Sequence, residues 1–237
     1  MAATTPRARA RARTMEDIVR IGREHLAVHG AAALSLRAVA RDLGVVSSAV
    51  YRYVRSRDEL LTLLVVDGYT ELADTVDEAL ASAPADPAQR LRVAGRAVRD
   101  WALAEPARYG LLFGTPVPGY EAPAEQTVAP GTRVIGTLLR VLESAYRADV
   151  LTAPEPLPPV SDALAADLVR IRGEFDLGVP DWVLVRGISV WTGLFGAVSF
   201  EVFDMYGPQT FADRAEIFER QLDSLCAMVG LGGAPGG

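Results

Sequence analysis

The stretch from Ser35 to Leu61 leaves the chain little choice of local fold. Leu36, Val39, Ala40 and Leu43 recur at helical spacing, and Ser35 stands where an N-cap belongs. Gly44 comes just past that helix, at the place where a positive φ costs glycine least. Val45 carries the chain round, Ser47 or Ser48 can cap a second helix, and Ala49, Val50, Tyr51, Arg52 and Tyr53 follow on it. Ala40, Val45 and Val50 are small or branched enough to let two helices meet closely. A third helix opens at Ser56-Arg57-Asp58-Glu59, a capping box with Ser56 at the N-cap and Glu59 at N3. This is the spacing of a helix-turn-helix, whose second helix enters the DNA major groove.

Charge divides the chain at the same place. Residues 1–57 hold 11 arginines against Glu16, Asp17, Glu24 and Asp42, a net of +7. Residues 58–237 hold the other 13 arginines against 26 acids, a net of −13, and the chain has no lysine. A basic module joined to an acidic one fits nucleic-acid binding at one end and self-association or small-molecule sensing at the other. At 237 residues there is length for one large domain or two small ones, each with a buried core.

The single cysteine, Cys226, leaves no internal disulfide and fits a reducing compartment; on a largely apolar helix face it reads as core filler. Arg7, Arg9, Arg11 and Arg13 lead into an amphipathic helix, with none of the apolar run a signal peptide needs. The longest uncharged apolar run, Gly187 to Phe200, is shorter than the roughly 20 residues of a membrane helix. A cytoplasmic protein is expected.

Along the chain, residues 1–13 alternate alanine and arginine and read as a disordered basic arm. Such an arm is either a solvated tail or a source of extra phosphate and minor-groove contacts. Thr14 is expected to cap a helix running to His29, with Ile18, Ile21, His25 or Leu26, and Val28 or His29 on its buried side. His25 and His29 stand at i, i+4, but with no third ligand nearby a packing or surface role is favoured over a metal. The helix from Ser56 runs through Leu60, Leu64, Leu72, Val76 and Leu80, long enough to link a DNA-binding head to the rest. Asp86-Pro87 opens a helix to about Ala104, and Pro106 a short one to Phe113. Residues 114–131 and 152–159, rich in Gly and Pro, read as loops around a helix from about Gly131 to Asp149. A shorter helix follows from Ser161 to about Arg172.

The helix that Pro180 opens is the most apolar. From Asp181 to about Tyr206, Leu184, Ile188, Trp191, Phe195, Val198 and Val202 make one stripe, with Gly187, Gly193, Gly196 and Ala197 leaving room for a close neighbour. Phe211, Ala215, Phe218, Leu222, Leu225 and Val229 form a heptad seam suited to helix pairing between subunits or to the chain's own core. Residues 230–237 are expected to fray.

Leu34-Ser35-Leu36-Arg37, Leu43-Gly44-Val45, Val50-Tyr51-Arg52-Tyr53-Val54 and Ser56-Arg57-Asp58-Glu59-Leu60-Leu61 together resemble the DNA-binding segment of TetR-type transcriptional regulators. The resemblance spans about residues 14–66 without a gap. Val46, Tyr53 and Arg57 stand where that family commonly has serine, histidine and lysine. Trp191-Thr192-Gly193-Leu194-Phe195-Gly196, with Trp101, Glu105-Pro106, Tyr109 and Leu112-Phe113-Gly114 upstream, is similar to a subgroup named for a tryptophan-histidine-glycine signature. Phe195 stands in the histidine's place.

The resemblance implies an all-α chain: an N-terminal three-helix helix-turn-helix domain at residues 14–60, joined to a larger helical ligand-binding and dimerisation domain at 61–229. It also implies a homodimer through the last two long helices and a ligand cavity in the C-terminal domain. Its function would be a repressor released from a palindromic operator when a small, largely apolar ligand tilts the linking helix. The candidate DNA contacts are Arg37 as a base reader, Ser47 and Ser48 at the helix start, Tyr51, Tyr53 and Arg52, and Arg57 as a phosphate clamp. For Tyr53, core packing with its hydroxyl at the rim is an equal reading. The candidate ligand walls are Trp101, Tyr109, Phe113, Trp191, Phe195 and Phe200, residues that ordinary core packing would also explain. No cofactor or metal is called for. A helical enzyme needs a nucleophile with its base, or paired Glu-x-x-His motifs, and His25 and His29 complete neither. A protein-binding adaptor without a DNA role remains the other alternative.

Overall fold

The computed structural model describes residues 5–156 and 159–231. Among them the chain is all-α, eleven α-helices and one 3-10 turn. They fall into two compact units, one of residues 1–71 with 104–131, the other of 72–103 with 132–237.

The first unit is built on α1 (Pro6–His29), a 3-10 turn at Ala31–Ala33, α2 (Leu36–Asp42), α3 (Ser47–Val50) and the start of α4 (Arg57–Ala81). Ile18, Ile21, Leu34, Leu36, Val39, Val50, Val54, Leu60, Leu61 and Leu64 form its buried core. The unit also holds α6 (Pro106–Phe113), whose Leu111 packs against this core, and α7 (Ala124–Gly131). The two compact units divide α4 after Glu71, and the segment after α5 belongs with the N-terminal helices.

Two expectations fail at the N-terminus. Residues 5–13 are not a disordered arm: Thr5 Oγ1 accepts the Ala8 amide at 3.2 Å, Pro6 starts the helix, and the alanines and arginines continue it. Thr14 is no cap but lies inside the helix, donating to the Ala10 carbonyl. Ile18, Ile21, Gly22, His25 and Leu26 are buried, whereas Val28 and His29 face outward. Residues 1–4 of the expected arm lie outside the described residues.

The loop expected over 114–131 contains α7. Pro123 precedes it, where a missing amide costs nothing, and its carbonyl accepts from Gln126 and Thr127. Arg108, with only 3% of its side chain exposed, ties α6 to α4 through Glu71 at 2.7 Å and Asp67 at 2.9 Å. Arg23 of α1 reaches the same two carboxylates.

The second unit holds the end of α4, α5 (Pro87–Ala104), α8 (Arg133–Arg147), α9 (Asp162–Phe175), α10 (Asp181–Val202) and α11 (Arg214–Met228). Arg92, Arg96 and Arg99 share one face of α5 and pair with Asp223 and Glu219 of α11 and Glu201 of α10. Helix α10 is long and apolar enough to cross a membrane by length and composition, unlike the shorter run expected there. It carries Arg186, packs on α8 and α11, and buries Glu201 against Arg99.

The buried face of α10 is not the expected stripe. Val183, Leu184, Gly187, Val190, Leu194, Phe195 and Val198 are buried, while Ile188, Trp191 and Val202 are half-exposed. The reason is close approach: a Cβ at Gly187 would sit 2.5 Å from Leu139 Cδ2, so α8 rests on the small-residue side. The helix also ends at Val202, four residues early, as Asp204 turns to a φ of 53°. In α11 the seam shifts likewise. Phe211 precedes the helix and Ala215 is exposed, and Phe218, Leu222 and Cys226 face the core four residues apart. Cys226 is fully buried, and burial pushes its thiol up. Gly230 and Leu231 do not fray: Leu231 is buried and donates to the Cys226 carbonyl, and residues 232–237 lie outside the described residues.

Candidate nucleic-acid interface

The turn between α2 and α3 is a Schellman motif. Gly44 takes a φ of 69°, its amide donates to the Arg41 carbonyl, and the Val45 amide donates to the Ala40 carbonyl, each at 3.0 Å. The expected serine caps are not made. Ser35 stands at the N-cap of α2 without a side-chain cap bond, and Val46 holds that position ahead of α3. Helix α3 is a single turn, and Tyr51 to Tyr53 continue as turns, with the Tyr53 and Val54 amides both donating to the Val50 carbonyl.

This folding leaves a polar outer surface. Arg37, Ser48, Tyr51 and Arg52 are exposed and Ser47 is half-buried. Tyr53 is half-buried against the module's core, and the Arg11 guanidinium lies 5.1 Å over its ring. That contact brings the arginine-bearing start of α1 beside the helix-turn-helix, where Arg7, Arg9, Arg11 and Arg13 are all exposed. Among the described residues, Arg37, Arg52 and Arg55 make no ion pair. Arg55 escaped the sequence reading because it lies between two motifs, in the link before α4.

Arg57 points the other way. Its guanidinium donates to the Ala31 carbonyl at 2.9 Å and the Ala32 carbonyl at 3.4 Å, holding the 3-10 turn to α4. The capping box at the α4 start is made, with a shift. The Glu59 amide donates to Ser56 Oγ at 3.1 Å, and the Glu59 carboxylate accepts from the Arg55 amide, one residue before the cap. Asp58 and Glu59 therefore oppose the positive end of the helix dipole, which weakens its attraction for phosphate.

His25 Nε2 meets Asp42 Oδ2 at 2.6 Å, bracing α1 against the end of α2, and the His29 ring stands edge-on to His25 at 5.8 Å. This hydrogen bond, with Arg41 beside it, holds the Asp42 carboxyl below the usual carboxylate range. Among the described residues no cluster of three His, Cys, Asp or Glu side chains is placed to hold a metal.

The six candidate ligand residues divide between the two units. Tyr109 is fully buried and packs on Phe113 at 5.0 Å in the first. In the second, Trp101 and Phe195 are buried, Trp191 is half-exposed and packs on Phe195, and Phe200 is exposed. Phe200 lines an open groove of about 420 Å³ between α10 and α11, with Gly193, Gly196, Ala197 and Leu225.

A basic helix-turn-helix at one end of an all-helical chain defines a DNA-binding transcriptional regulator. Residues 18–64 match the profile of bacterial regulatory proteins of the tetR family, and residues 91–225 that of the tetracyclin repressor-like C-terminal domain. The chain belongs to the TetR family. The HTH-type transcriptional regulator Rv1816 of Mycobacterium tuberculosis is 44% identical over 221 residues, covering 93% of this chain and 94% of the relative. The regulator Mb1846 of Mycobacterium bovis matches to the same extent. Among solved structures, SCO4313 superposes with a TM-score of 0.75 at 33% identity, covering 94% of this chain and 100% of that one. A tetR-family regulatory protein from Rhodococcus RHA1, at 16% identity and a TM-score of 0.59, covers 91% of this chain and 96% of its own and shares the fold. The family and the relatives are transcriptional regulators, not enzymes.

Proposed function

We propose that the protein is a dimeric repressor that binds a palindromic operator and leaves it when a small, largely apolar ligand binds the larger domain. The observation that carries this reading is the set of exposed arginines without carboxylate partners, Arg37, Arg52 and Arg55, around the α2–α3 turn. In a chain with an excess of acids, arginines left unpaired on one motif are what phosphate and base edges require. Arg37 serves as a base reader, and Ser47, Ser48, Tyr51 and Arg52 as base or phosphate contacts. The helical start of α1, docked on Tyr53 through Arg11, adds phosphate contacts.

Residues 61–229 carry ligand binding and dimerisation in this reading. The second subunit pairs along α10 and α11, where Gly193, Gly196 and Ala197 leave a shallow groove and Phe200 stands 44% exposed beside it. Two recognition segments then meet successive major grooves about 34–36 Å apart. Within the second unit the candidate aromatic walls are the buried Trp101 and Phe195 with Trp191 beside them, and the protein acts in the cytoplasm.

The test is selection of bound sequences from random duplex DNA by the purified protein, with its mass in solution recorded. A palindromic site held by a dimer supports the reading. A dimer that enriches no sequence, or a monomer that binds a single half-site, overturns it.

A further inference from the structure

Arginines in the second unit are matched to carboxylates almost throughout. Nine of its twelve form an ion pair. Among the described residues three do not: Arg90, Arg140 and Arg186. Arg186 is occupied otherwise, donating to the Thr152 carbonyl at 2.7 Å with its guanidinium 5.0 Å over the Trp182 ring. The other two line one cavity of about 560 Å³, formed by the end of α4, the start of α5 and α8.

Neither guanidinium is used up. Arg90 donates from one Nη to the Leu80 carbonyl at 3.3 Å, and Arg140 from one Nη to Thr137 Oγ1 at 3.1 Å. Each has five N–H donors, so most still face the cavity or solvent. Thr137 is fixed in turn by donating to Asp77 Oδ1 at 3.3 Å, which orients the Arg140 fork. Asp77 is the one carboxylate on the wall, and Arg133 neutralises it at 2.7 Å. The Ser144 hydroxyl also lines the cavity, and Leu80 and Val141 supply apolar surface.

We propose that this cavity binds an amphiphilic organic anion. A carboxylate or phosphate head lies between Arg90 and Arg140, whose planar forks suit either group, and the apolar body rests on Leu80 and Val141. The volume falls within the few hundred to about 1,000 Å³ usual for small-molecule sites. The six aromatic residues of the candidate effector cavity are absent from this lining, and the inference stands whether or not the protein is a repressor.

The test is calorimetric titration of the full-length protein at low ionic strength with benzoate, phenyl phosphate and uncharged benzamide. One of the two anions is expected to bind with one site per chain, and whichever binds more tightly identifies the head group. Benzamide is expected not to bind. Arg140→Gln, a change at an exposed side chain, is expected to weaken binding at least about tenfold, and Arg186→Gln to leave it unchanged. The proposal is overturned if neither anion binds, if benzamide binds as well as they do, or if Arg90→Gln and Arg140→Gln both leave the affinity intact. Because no DNA is present, failure here is separate from failure of the operator selection.

Discussion

Arg108 of α6 donates to both carboxylate oxygens of Glu71 in α4, at 2.7 and 2.9 Å, from a side chain that is almost wholly buried. Asp67 accepts a third bond from the same guanidinium at 2.9 Å and also pairs with Arg23 of α1. One buried cation thus fastens α6 to α4, the helix that follows the helix-turn-helix. Removing Arg108 leaves Asp67 and Glu71 to share Arg23, two acids on one cation, at about 2–3 kcal/mol, below the full cost of an uncompensated buried charge. Arg108→Ala is expected to lose that much in urea unfolding, and Arg108→Met less, because it keeps the volume. A loss under about 1 kcal/mol in Arg108→Ala would show that water already reaches the cluster.

The DNA-facing arginines are expected to separate by role. Arg37→Ala should relax base preference at one position of the selected site, at about 1–3 kcal/mol of discrimination. Arg55→Ala and Arg11→Ala should weaken all sequences alike and reduce the salt slope by about one each. Arg57→Ala is expected to behave differently, lowering the melting temperature through the lost Ala31 carbonyl bond while leaving the salt slope unchanged. Binding measured across a salt series distinguishes the three patterns. A reduced slope for Arg57→Ala would restore its reading as a phosphate clamp.

Arg57 also marks where sequence reading reaches its limit. The helix-turn-helix was legible because several spaced positions must agree at once, and Gly44 and the Ser56–Glu59 box stand where the pattern puts them. Direction was not legible. An arginine at a helix start looks the same whether its fork meets a phosphate or the carbonyl of Ala31, and only the fold brings that 3-10 turn within reach. The stripes of α10 and α11 match the buried faces only in part, for a related reason. Periodicity finds the bulky residues, yet the buried face of α10 is chosen by Gly187, whose lack of a side chain admits α8. The alternating charge before Thr14 predicts disorder, but Thr5, Pro6 and the helix propensity of alanine and arginine outweigh that repulsion.

Acid is expected to loosen both units. The Asp42 carboxyl is held below its usual range by His25 and Arg41, and the Glu219 carboxyl by its hydrogen bonds to Arg96. A carboxylate with a depressed folded pKa stabilises the fold above its unfolded value of about 4, and that contribution is lost as pH falls through the folded value. Thermal unfolding between pH 7 and pH 3 should therefore show a falling melting temperature below about pH 4. Glu219→Gln and Asp42→Asn should each flatten that acid limb slightly, both sites being partly solvent-screened. An unchanged limb in the double variant would place the acid sensitivity elsewhere.

The contact between α8 and α10 leaves no room for a side chain at Gly187. Gly187 faces Leu139, with a built Cβ 2.5 Å from Leu139 Cδ2 and 3.2 Å from Leu142 Cδ1, both leucines being buried. Gly187→Val must part the helices or force Leu139 off its rotamer, a cost of about 1–3 kcal/mol. Leu139→Ala alone leaves a cavity and costs about 2–5 kcal/mol. In the double variant the new methyl groups occupy the space Leu139 vacates, so the combined loss should fall short of the sum by at least about 1 kcal/mol. Urea unfolding of the four proteins in this cycle measures the coupling. Strict additivity would mean that α10 meets α8 through some other pair, and that Gly187 is small for a reason unrelated to close packing.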